Sequence, residues 1–345
     1  KMPTTKWILP EGIDDILPEQ AYWLEMKRRE VIDTFISSGY GLVIPPLIEY
    51  TDSLTQDASE DLNLQTFKLI DQDTGKQLGL RADITSQISR IYSTYNDNNV
   101  NRYCYFDHVV RAKNYSIKNS RVPIQAGAEL IGSSEIENDA ELVILMIDVL
   151  KKFTNKKIFL DLGHVGIFKK LISCAHLEKE QEKEIKHLIR SKSSSEIKKF
   201  LNHLDINESL KECLNNFPKM HGSIKEIEKC LDQIKVFDNR IEKDIQYMCL
   251  FAEFVERSHS DININFDFCE IKGFDYENDI IFSAYLENDS EAVSIGGKYD
   301  LNSDGVTGIG FSIDVRYLLK NQFLNKTKYK LVNKSGKWFT ENDNE

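Results

Sequence analysis

The 345-residue sequence predicts an α+β fold, in which a mostly antiparallel sheet is flanked by helices and carries an inserted helical subdomain. Strand-like segments are separated by hairpins and long returns rather than by regular βαβ units, which favours antiparallel pairing. From Glu178 to about Val255, Lys, Glu, Leu and Ile dominate with a helical period, and strand signals return at Ile262. We therefore expect a sheet domain over residues 1–175 and 257–322, a helical insertion over 176–256, and a tail or edge strand over 323–345.

Composition excludes several classes of protein. The formal net charge of −11 argues against a nucleic-acid surface spread over the whole molecule, although not against a local basic patch. The longest apolar run, residues 142–150, contains Asp148 and is too short to span a bilayer, and the N-terminus lacks the features of a signal peptide. The six cysteines form no CxxC pair, and the histidines show no HxxxH or HxH spacing. We expect a cytoplasmic protein with reduced thiols, no metal and no cofactor.

The N-terminal region predicts a helix followed by a broken strand. Residues 19–37 place apolar side chains roughly on one helical face and end before Gly39. Residues 40–50 have a strand-like composition but contain Pro45 and Pro46, which remove two backbone donors, so this strand should lie at an edge or break. A long helix that leads into such a strand can form a subunit contact; ordinary edge packing is the alternative.

Residues 67–80 predict a β-hairpin with its turn at residues 72–75. The hairpin delivers Asp83 and Thr85 to the start of a helix expected over residues 86–95. A carboxylate and a hydroxyl at this position could bind an ammonium or hydroxyl group of a ligand. Alternatively, they only cap the helix.

The central stretch, residues 102–132, contains two apolar segments that flank a polar loop, and it predicts a strand–loop–strand unit. In the second strand Gln125, Gly127 and Glu129 alternate with apolar residues. Because successive side chains of a strand point to opposite faces, these three share one face of the sheet.

Two arginines border the same loop: Arg111 closes the first strand and Arg121 opens the second. The sheet face thus collects two arginines, an amide and a carboxylate. Such a face can hold an amino acid, with Glu129 for its ammonium and an arginine for a carboxylate or phosphate. A polar, solvated sheet face is the alternative.

The second half of the chain shows further regular elements. A helix is expected over residues 138–153, and strands over 157–162, 264–271, 279–286 and 292–297. Residues 163–166 follow a strand and start a helix, and His164 within them is either functional or a hydrogen-bonded structural histidine. The residues after Asn321 predict a tail or a final edge strand.

Two glycines, Gly308 and Gly310, precede a helix that we expect from about Ser312 to Leu319. Glycine at a strand–helix junction lets a ligand approach the backbone closely. Alone, this signal is weak.

Several of these segments resemble the catalytic core of class II aminoacyl-tRNA synthetases, and histidyl-tRNA synthetase in particular. The first helix with residues 40–50 is similar to motif 1, residues 102–132 to motif 2 and residues 308–319 to motif 3. KGFDY at residues 272–276 resembles the RGLDYY signature of the histidine pocket, and GGKYD at residues 296–300 resembles GGRYD. The resemblance covers most of residues 9–165 and 262–320 and implies the antiparallel sheet of class II synthetases, with motif 1 as the dimer element.

A closer resemblance is to the synthetase-like regulatory subunits of short-form ATP phosphoribosyltransferase, the first enzyme of histidine biosynthesis. Five segments carry it: LPEGIDDILPEQA, LRADITSQISRI, IQAGAELIG, DLGHVGIF and GFSIDV. The synthetases instead have LRPEGT where this chain has LRADIT.

Departures from the synthetase pattern fall on the groups that handle ATP. Lys113 stands where motif 2 of the synthetase has an acidic residue, and Lys272 replaces the arginine of RGLDYY. Tyr317 occupies the position of the motif 3 arginine, while Arg316 lies one residue early and is rotated by about 100° around the helix. Lysine cannot reproduce the bidentate fork of arginine, so ATP handling is in doubt.

The amino-acid pocket of the synthetase is better matched than its ATP site. The resemblance implies a histidine site formed by Asp83, Thr85, Arg111, Gln125, Glu129, Lys272, Tyr276 and Tyr299. A matched pocket with altered catalytic groups suits a sensor of histidine better than an enzyme. Only residues 320–345 follow motif 3, where the synthetase has an anticodon-binding domain, so we expect no tRNA partner.

The resemblance therefore implies a non-catalytic regulatory subunit that binds histidine and controls the catalytic ATP phosphoribosyltransferase subunit allosterically. It also implies a self-dimer within a hetero-octamer and no membrane association. The alternative is an enzyme, a histidine-activating fragment or paralogue of histidyl-tRNA synthetase. An amino-acid-binding protein with another partner is the third possibility.

Overall fold

The computed structural model describes residues 8–55, 60–95, 100–113, 120–269, 277–301, 305–324, 329–335 and 337–342. The strands are β1 (Gly41–Leu42), β2 (Ile48–Tyr50), β3 (Phe67–Ile70), β4 (Gln77–Leu80), β5 (Asn101–His108), β6 (Ile124–Ile131), β7 (Ile158–His164), β8 (His221–Gly222), β9 (Asn263–Asp267), β10 (Glu277–Leu286), β11 (Ala292–Leu301), β12 (Val306–Asp314), β13 (Tyr329–Lys334) and β14 (Lys337–Asn342). The α-helices are α1 (Pro18–Ser37), α2 (Thr51–Thr55), α3 (Glu60–Gln65), α4 (Thr85–Tyr95), α5 (Ile136–Phe153), α6 (Val165–Ala175), α7 (Lys179–Arg190), α8 (Ser194–Asn202), α9 (Glu208–Asn216), α10 (Ile224–Ile234), α11 (Arg240–Ser258) and α12 (Val315–Leu324).

One large sheet organises the molecule. Within the described residues it has nine strands in the order β1-β5-β6-β12-β11-β10-β7-β9-β8. The pairs β1–β5 and β7–β9 are parallel, and the other neighbours are antiparallel. The predicted α+β class with a mostly antiparallel sheet is therefore confirmed.

Helix α5 covers one face of this sheet, and its sequence explains why. Ten of its residues are buried, including Leu142, Val143, Met146 and Leu150, so three of its sides face other elements. Acidic residues in its first turn and two lysines in its last turn match the helix dipole. Helices α1 and α11 pack against α5 and also contact the sheet directly, α1 at β1 and β5 and α11 at β7.

The N-terminal predictions are confirmed. Helix α1 ends before Gly39, whose φ of +86° suits a residue without a side chain. The strand that we expected to break does so at Pro45 and Pro46. Its first part, β1, lies at the edge of the large sheet, and its second part, β2, joins the hairpin β3–β4 in a small three-stranded sheet.

The region between α6 and β9 is helical, as its composition predicts. Helices α7 and α10 begin with capping boxes at Glu178 and Ser223, and α9 begins with an Asn207 cap. The buried apolar side chains of these helices belong to the same hydrophobic core as those of the sheet. A division into a sheet domain and a helical subdomain remains a prediction.

Two strand ends differ from the sequence prediction. Strand β11 continues through the glycine pair at residues 296–297 to Leu301, and β12 continues to Asp314, so α12 begins at Val315 rather than at Ser312. The period-two alternation explains the second difference: Phe311 and Ile313 are buried against the helices and continue the strand pattern. The C-terminal residues form the hairpin β13–β14, which pairs with itself.

Candidate ligand-binding site

The candidate site lies on the sheet face opposite α5, where glycines in β12 make room for side chains of neighbouring strands. A Cβ atom at Gly310 would come within 1.7 Å of Glu129 Oε2, and one at Gly308 within 2.8 Å of the Tyr299 ring. The expectation that a ligand approaches the backbone at these glycines is therefore wrong. Both glycines lie within the strand, and the carboxylate of Glu129 and the ring of Tyr299 occupy the space above them.

Glu129 forms the floor of the site. Glu129 is 1% exposed. Thr85 Oγ1 donates to Glu129 Oε1 at 2.9 Å, and the Tyr299 hydroxyl donates to Glu129 Oε2 at 2.8 Å. Burial raises the pKa of Glu129 to about 8, although these two hydrogen bonds act in the opposite direction. No Lys, Arg or His side chain of the described residues forms an ion pair with this carboxylate.

A second carboxylate, Asp83, faces the same space. It is partly buried and lies two residues before Thr85, the first residue of α4. The charge of Asp83 adds to the burial that raises the pKa of Glu129. From the sequence, Thr85 could either bind a ligand or only cap the helix. In the structure the Thr85 hydroxyl donates to Glu129. The site therefore contains one deep carboxylate and one shallower carboxylate.

Sequence reasoning missed Arg81, which holds the segment that carries Asp83. Arg81 is 1% exposed and makes an ion pair of 2.8 Å with Asp107. It also donates to the backbone carbonyls of His108 and Pro45, each at 2.8 Å. Although burial opposes it, hydrogen bonds from His108 and Arg81 hold the pKa of Asp107 below its usual range. One side chain thus ties together three segments that border the site.

At the other end of β6, polar groups are buried with unused hydrogen-bonding capacity. Gln125 is 4% exposed, and its Oε1 has no hydrogen-bond partner among the described residues; the same is true of Arg111 Nε. Asp314 lies opposite Gln125 in the neighbouring strand. Burial raises the pKa of Asp314, while the charge of Arg111 lowers it. Gln125 and Glu129 are four residues apart, or about 14 Å along the strand.

Arg121 does not belong to this face. Its guanidinium donates to the backbone carbonyls of Arg111 at 3.2 Å and Ala112 at 3.0 Å, and it stacks over the Phe67 ring at 5.1 Å. These contacts tie Arg121 to residues 111–112 and to β3. The expectation that two arginines line the sheet face is therefore wrong for Arg121.

The residues at the motif 3 positions are engaged in internal contacts. Arg316 makes an ion pair of 2.9 Å with Asp14 of the N-terminal segment. The Tyr317 hydroxyl donates to Asp289 at 2.5 Å. Arg316 and Tyr317, which stand at the motif 3 positions, thus both have partners within the chain.

Of the eight residues expected to bind histidine, the structure brings together Asp83, Thr85, Glu129 and Tyr299. Gln125 lies further along β6, and Arg111, which follows β5, acts on Asp314 opposite Gln125. Lys272 and Tyr276 lie outside the described residues. In the part of the chain that is described, no group of three or more His, Cys, Asp or Glu side chains is arranged to hold a metal ion. None of the described helices is long and apolar enough to cross a membrane.

Comparison with known proteins shows the family to which the chain is similar. The family model described as histidyl-tRNA synthetase matches residues 12–318. The ATP phosphoribosyltransferase regulatory subunit of Methylococcus capsulatus is 37% identical over 320 residues, which are 91% of this chain and 79% of that relative. The protein of the same description from Marinobacter nauticus is 35% identical over 91% of this chain and 81% of its own length.

The chain belongs to the family of ATP phosphoribosyltransferase regulatory subunits. Solved structures show the same fold for this family and for synthetases. The ATP phosphoribosyltransferase regulatory subunit/histidyl-tRNA synthetase from Bacillus halodurans has a TM-score of 0.79 at 24% identity, covering 92% of this chain and 83% of that one. A chain of the ATP phosphoribosyl transferase (HisG:HisZ) complex from Thermotoga maritima has a TM-score of 0.66 at 16% identity, and the match covers 84% of this chain and 96% of that one.

Proposed function

We propose that this chain is the regulatory subunit of a short-form ATP phosphoribosyltransferase, that it binds free histidine above Glu129, and that it has no turnover of its own. The observation that carries the proposal is the surroundings of Glu129, a buried carboxylate whose described partners are only hydroxyls. Burying a carboxylate without a cation or several strong donors costs several kcal/mol. The raised pKa of Glu129 is a consequence of this cost. A ligand that donates an N–H group to the Glu129 carboxylate would offset the cost.

Histidine has two such donor groups, its ammonium and its imidazole, and the site has two carboxylates. Because Glu129 is the more deeply buried, we assign it to the imidazole, which loses less hydration than an ammonium. The shallower Asp83 would then take the ammonium. This assignment differs from the one suggested by sequence alone, in which Glu129 takes the ammonium.

The carboxylate of histidine would face Arg111, whose Nε has no described partner, and the NH₂ group of Gln125 in β6. Lys272 and Tyr276 are further candidates on the basis of the resemblance alone. Three analogues separate these roles. Histidinol, which lacks the carboxylate, should bind more weakly through loss of the Arg111 contact, and the two ring-methylated histidines should reveal which imidazole nitrogen meets Glu129.

Lack of turnover is supported by the groups at the ATP-handling positions. Arg316 is paired with Asp14, and Tyr317 with Asp289, so neither is free to bind a triphosphate without breaking internal contacts. The rival, a histidine-activating enzyme, predicts robust exchange of pyrophosphate into ATP in the presence of histidine. We expect no exchange by the purified chain, and robust exchange would disprove the proposal.

Assembly with a catalytic subunit is proposed from the relatives' descriptions and from the Thermotoga maritima structure, which is a complex. A dimer of this chain within a hetero-octamer fits an exposed apolar surface along the motif 1 region. That surface comprises Leu42, Ile44, Leu47, Ile48 and Tyr50.

The direct test of regulation is co-purification with a short-form catalytic subunit, followed by a histidine titration of the activity of the complex. We expect a stable complex whose activity changes with histidine concentration, and by thermodynamic reciprocity a histidine affinity that changes with assembly. A complex whose activity and histidine affinity are both insensitive to the other component would contradict the proposal.

A further inference from the structure

A buried ionic cluster lies on the opposite face of the sheet, directly behind the site. Lys298 Nζ contacts Asp139 Oδ2 at 2.6 Å, with the lysine side chain 9% exposed and the aspartate side chain 0% exposed. The Tyr247 hydroxyl donates to the same carboxylate oxygen. The Lys298 ammonium also lies 5.8 Å from the centre of the Tyr247 ring. These contacts join three elements, β11, α5 and α11.

Two further ionisable side chains complete the cluster. His164 Nε2 lies 2.9 Å from Asp279 Oδ1, and His164 is 3% exposed. Although burial opposes it, the hydrogen bond from His164 and the charges of His164 and Lys298 lower the pKa of Asp279, which places this pair beside the lysine. Among the described residues, the ionisable groups around Lys298 are therefore Asp139 on α5, Tyr247 on α11 and Asp279 on β10, and His164 on β7 is paired with Asp279.

The position of Lys298 in the chain connects this cluster to the site. Lys298 and Tyr299 are neighbours in β11, so their side chains leave the strand on opposite faces. Tyr299 donates to Glu129, while Lys298 is held by Asp139 and Tyr247. Any displacement of β11 that follows a change at Glu129 must therefore strain or release the contacts to α5 and α11.

Packing needs do not explain this cluster. A buried ion pair is seldom more stable than apolar side chains of the same volume, but it has a direction and a fixed length, which apolar packing lacks. We propose that Lys298 is a positioning residue for the site and that the Lys298–Asp139–Tyr247 contact couples ligand binding at Glu129 and Tyr299 to the inserted helix α11. This inference rests on the proposed function, because it takes histidine to be the ligand that binds at Glu129.

The test compares four variants of the full chain. The double variant Lys298→Met/Asp139→Leu removes both charges and leaves neither unpaired, and Tyr247→Phe removes only the hydroxyl in case the double variant does not fold. Lys298→Arg keeps the charge. Lys192→Met is the matched control, because Lys192 makes an ion pair of the same length, 2.6 Å, with Asp267 away from the site.

Two readouts are needed: histidine affinity by calorimetry from pH 6 to 8, and hydrogen–deuterium exchange of Arg240–Ser258 with and without histidine. We expect the double variant to bind about tenfold more weakly and to lose the histidine-induced protection of α11. Tyr247→Phe should bind histidine about threefold more weakly and should lose part of the histidine-induced protection of α11. Lys298→Arg should restore most of the affinity, and Lys192→Met should match the parent chain.

A folded double variant, or failing that Tyr247→Phe, with parental affinity and parental protection of α11 would overturn the proposal. If the parent chain binds no histidine, the proposed function fails instead. The cluster is then tested by the pKa of Glu129 in the unliganded chain, measured by carbon-13 NMR. That pKa should rise in the double variant and in Tyr247→Phe as the Tyr299 hydrogen bond weakens, and an unchanged pKa in both would overturn the proposal.

Discussion

Two buried carboxylates, Glu129 and Asp139, lie on opposite faces of the same sheet and differ in their partners. Both are at most 1% exposed. Asp139 contacts the ammonium of Lys298 at 2.6 Å, so its negative charge is balanced within the protein. Among the described residues Glu129 is hydrogen-bonded by the hydroxyls of Thr85, Tyr299 and Tyr105 and by no cation, and burial raises its pKa to about 8.

We interpret this difference as that between a structural carboxylate, Asp139, and a ligand-binding one, Glu129. A buried charge that is paired within the protein stabilises one arrangement of the chain, whereas a buried carboxylate without a counter-charge is costly until it takes up a proton or meets a ligand that donates to it. The following predictions test whether the two carboxylates behave in these opposite ways.

The largest effect is expected for Asp139→Asn. This change leaves the buried ammonium of Lys298 without its closest carboxylate, so the free energy of unfolding should fall by about 3–5 kcal/mol. Urea denaturation at pH 7 measures it. The double variant Lys298→Met/Asp139→Leu should recover most of the loss, and a decrease below about 1 kcal/mol in the single variant would show that the pair is not structural.

Glu129→Gln should act in the opposite direction. In the folded chain Glu129 has a pKa of about 8, while in the unfolded chain it loses its proton near the ordinary glutamate pKa of 4.5. The folded state therefore binds more protons between these pH values, and stability is lost as the pH rises through that window. At pH 8 the glutamine variant should be about 4 kcal/mol more stable than the parent chain, and the difference should shrink towards pH 4.5. Equal stability of the two chains at pH 8 would contradict the charge assignment.

The pH dependence of histidine affinity distinguishes the two assignments of Glu129. If Glu129 meets the imidazole, the complex shares one proton that either partner supplies, so affinity should stay level between about pH 6.5 and 8 and decrease below that range. If Glu129 meets the ammonium, it must lose its proton on binding, and affinity should fall about tenfold for each pH unit below 8. Calorimetry near pH 7.2 in two buffers of different ionisation enthalpy should accordingly show little proton release in the first case and nearly one proton in the second.

A smaller effect is expected for Tyr299→Phe. Loss of one hydrogen bond to a charged acceptor should raise the pKa of Glu129 further and weaken histidine binding by about 1.5 kcal/mol, or roughly tenfold. Calorimetry at pH 8 and a carbon-13 NMR titration of Glu129 measure the two effects. Val293→Ala, which changes the same strand at a buried apolar position, is a control for general loosening of β11; an equal loss of affinity in both variants would exclude a specific role of the hydroxyl.

The sequence predicted those features of the site that depend on local pattern. Alternation in β6 placed Gln125 and Glu129 on one face, and two adjacent prolines predicted the break between β1 and β2. The end of β12 was misplaced because a glycine pair followed by apolar residues also resembles a strand–helix junction, and only the burial of Phe311 and Ile313 decides between the two.

The features that the sequence did not predict depend on contacts between distant segments. Arg81 lies between two apolar residues, and its carbonyl partners are 27 and 36 positions away. Lys298 appeared only as part of a signature motif, because its partner Asp139 is 159 positions away. Local patterns give no measure of the burial of such charged side chains or of the partners that they acquire.

The most direct test of this account is a calorimetric titration of histidine into the parent chain and into Glu129→Gln at pH 7.2. The variant keeps the shape of the side chain and is expected to be at least as stable as the parent. We predict one histidine bound per parent chain and an affinity at least about a hundredfold lower in the variant, since a charged hydrogen bond in a buried site is lost. Equal affinity in the two chains would show that histidine does not bind at Glu129 and would contradict the account.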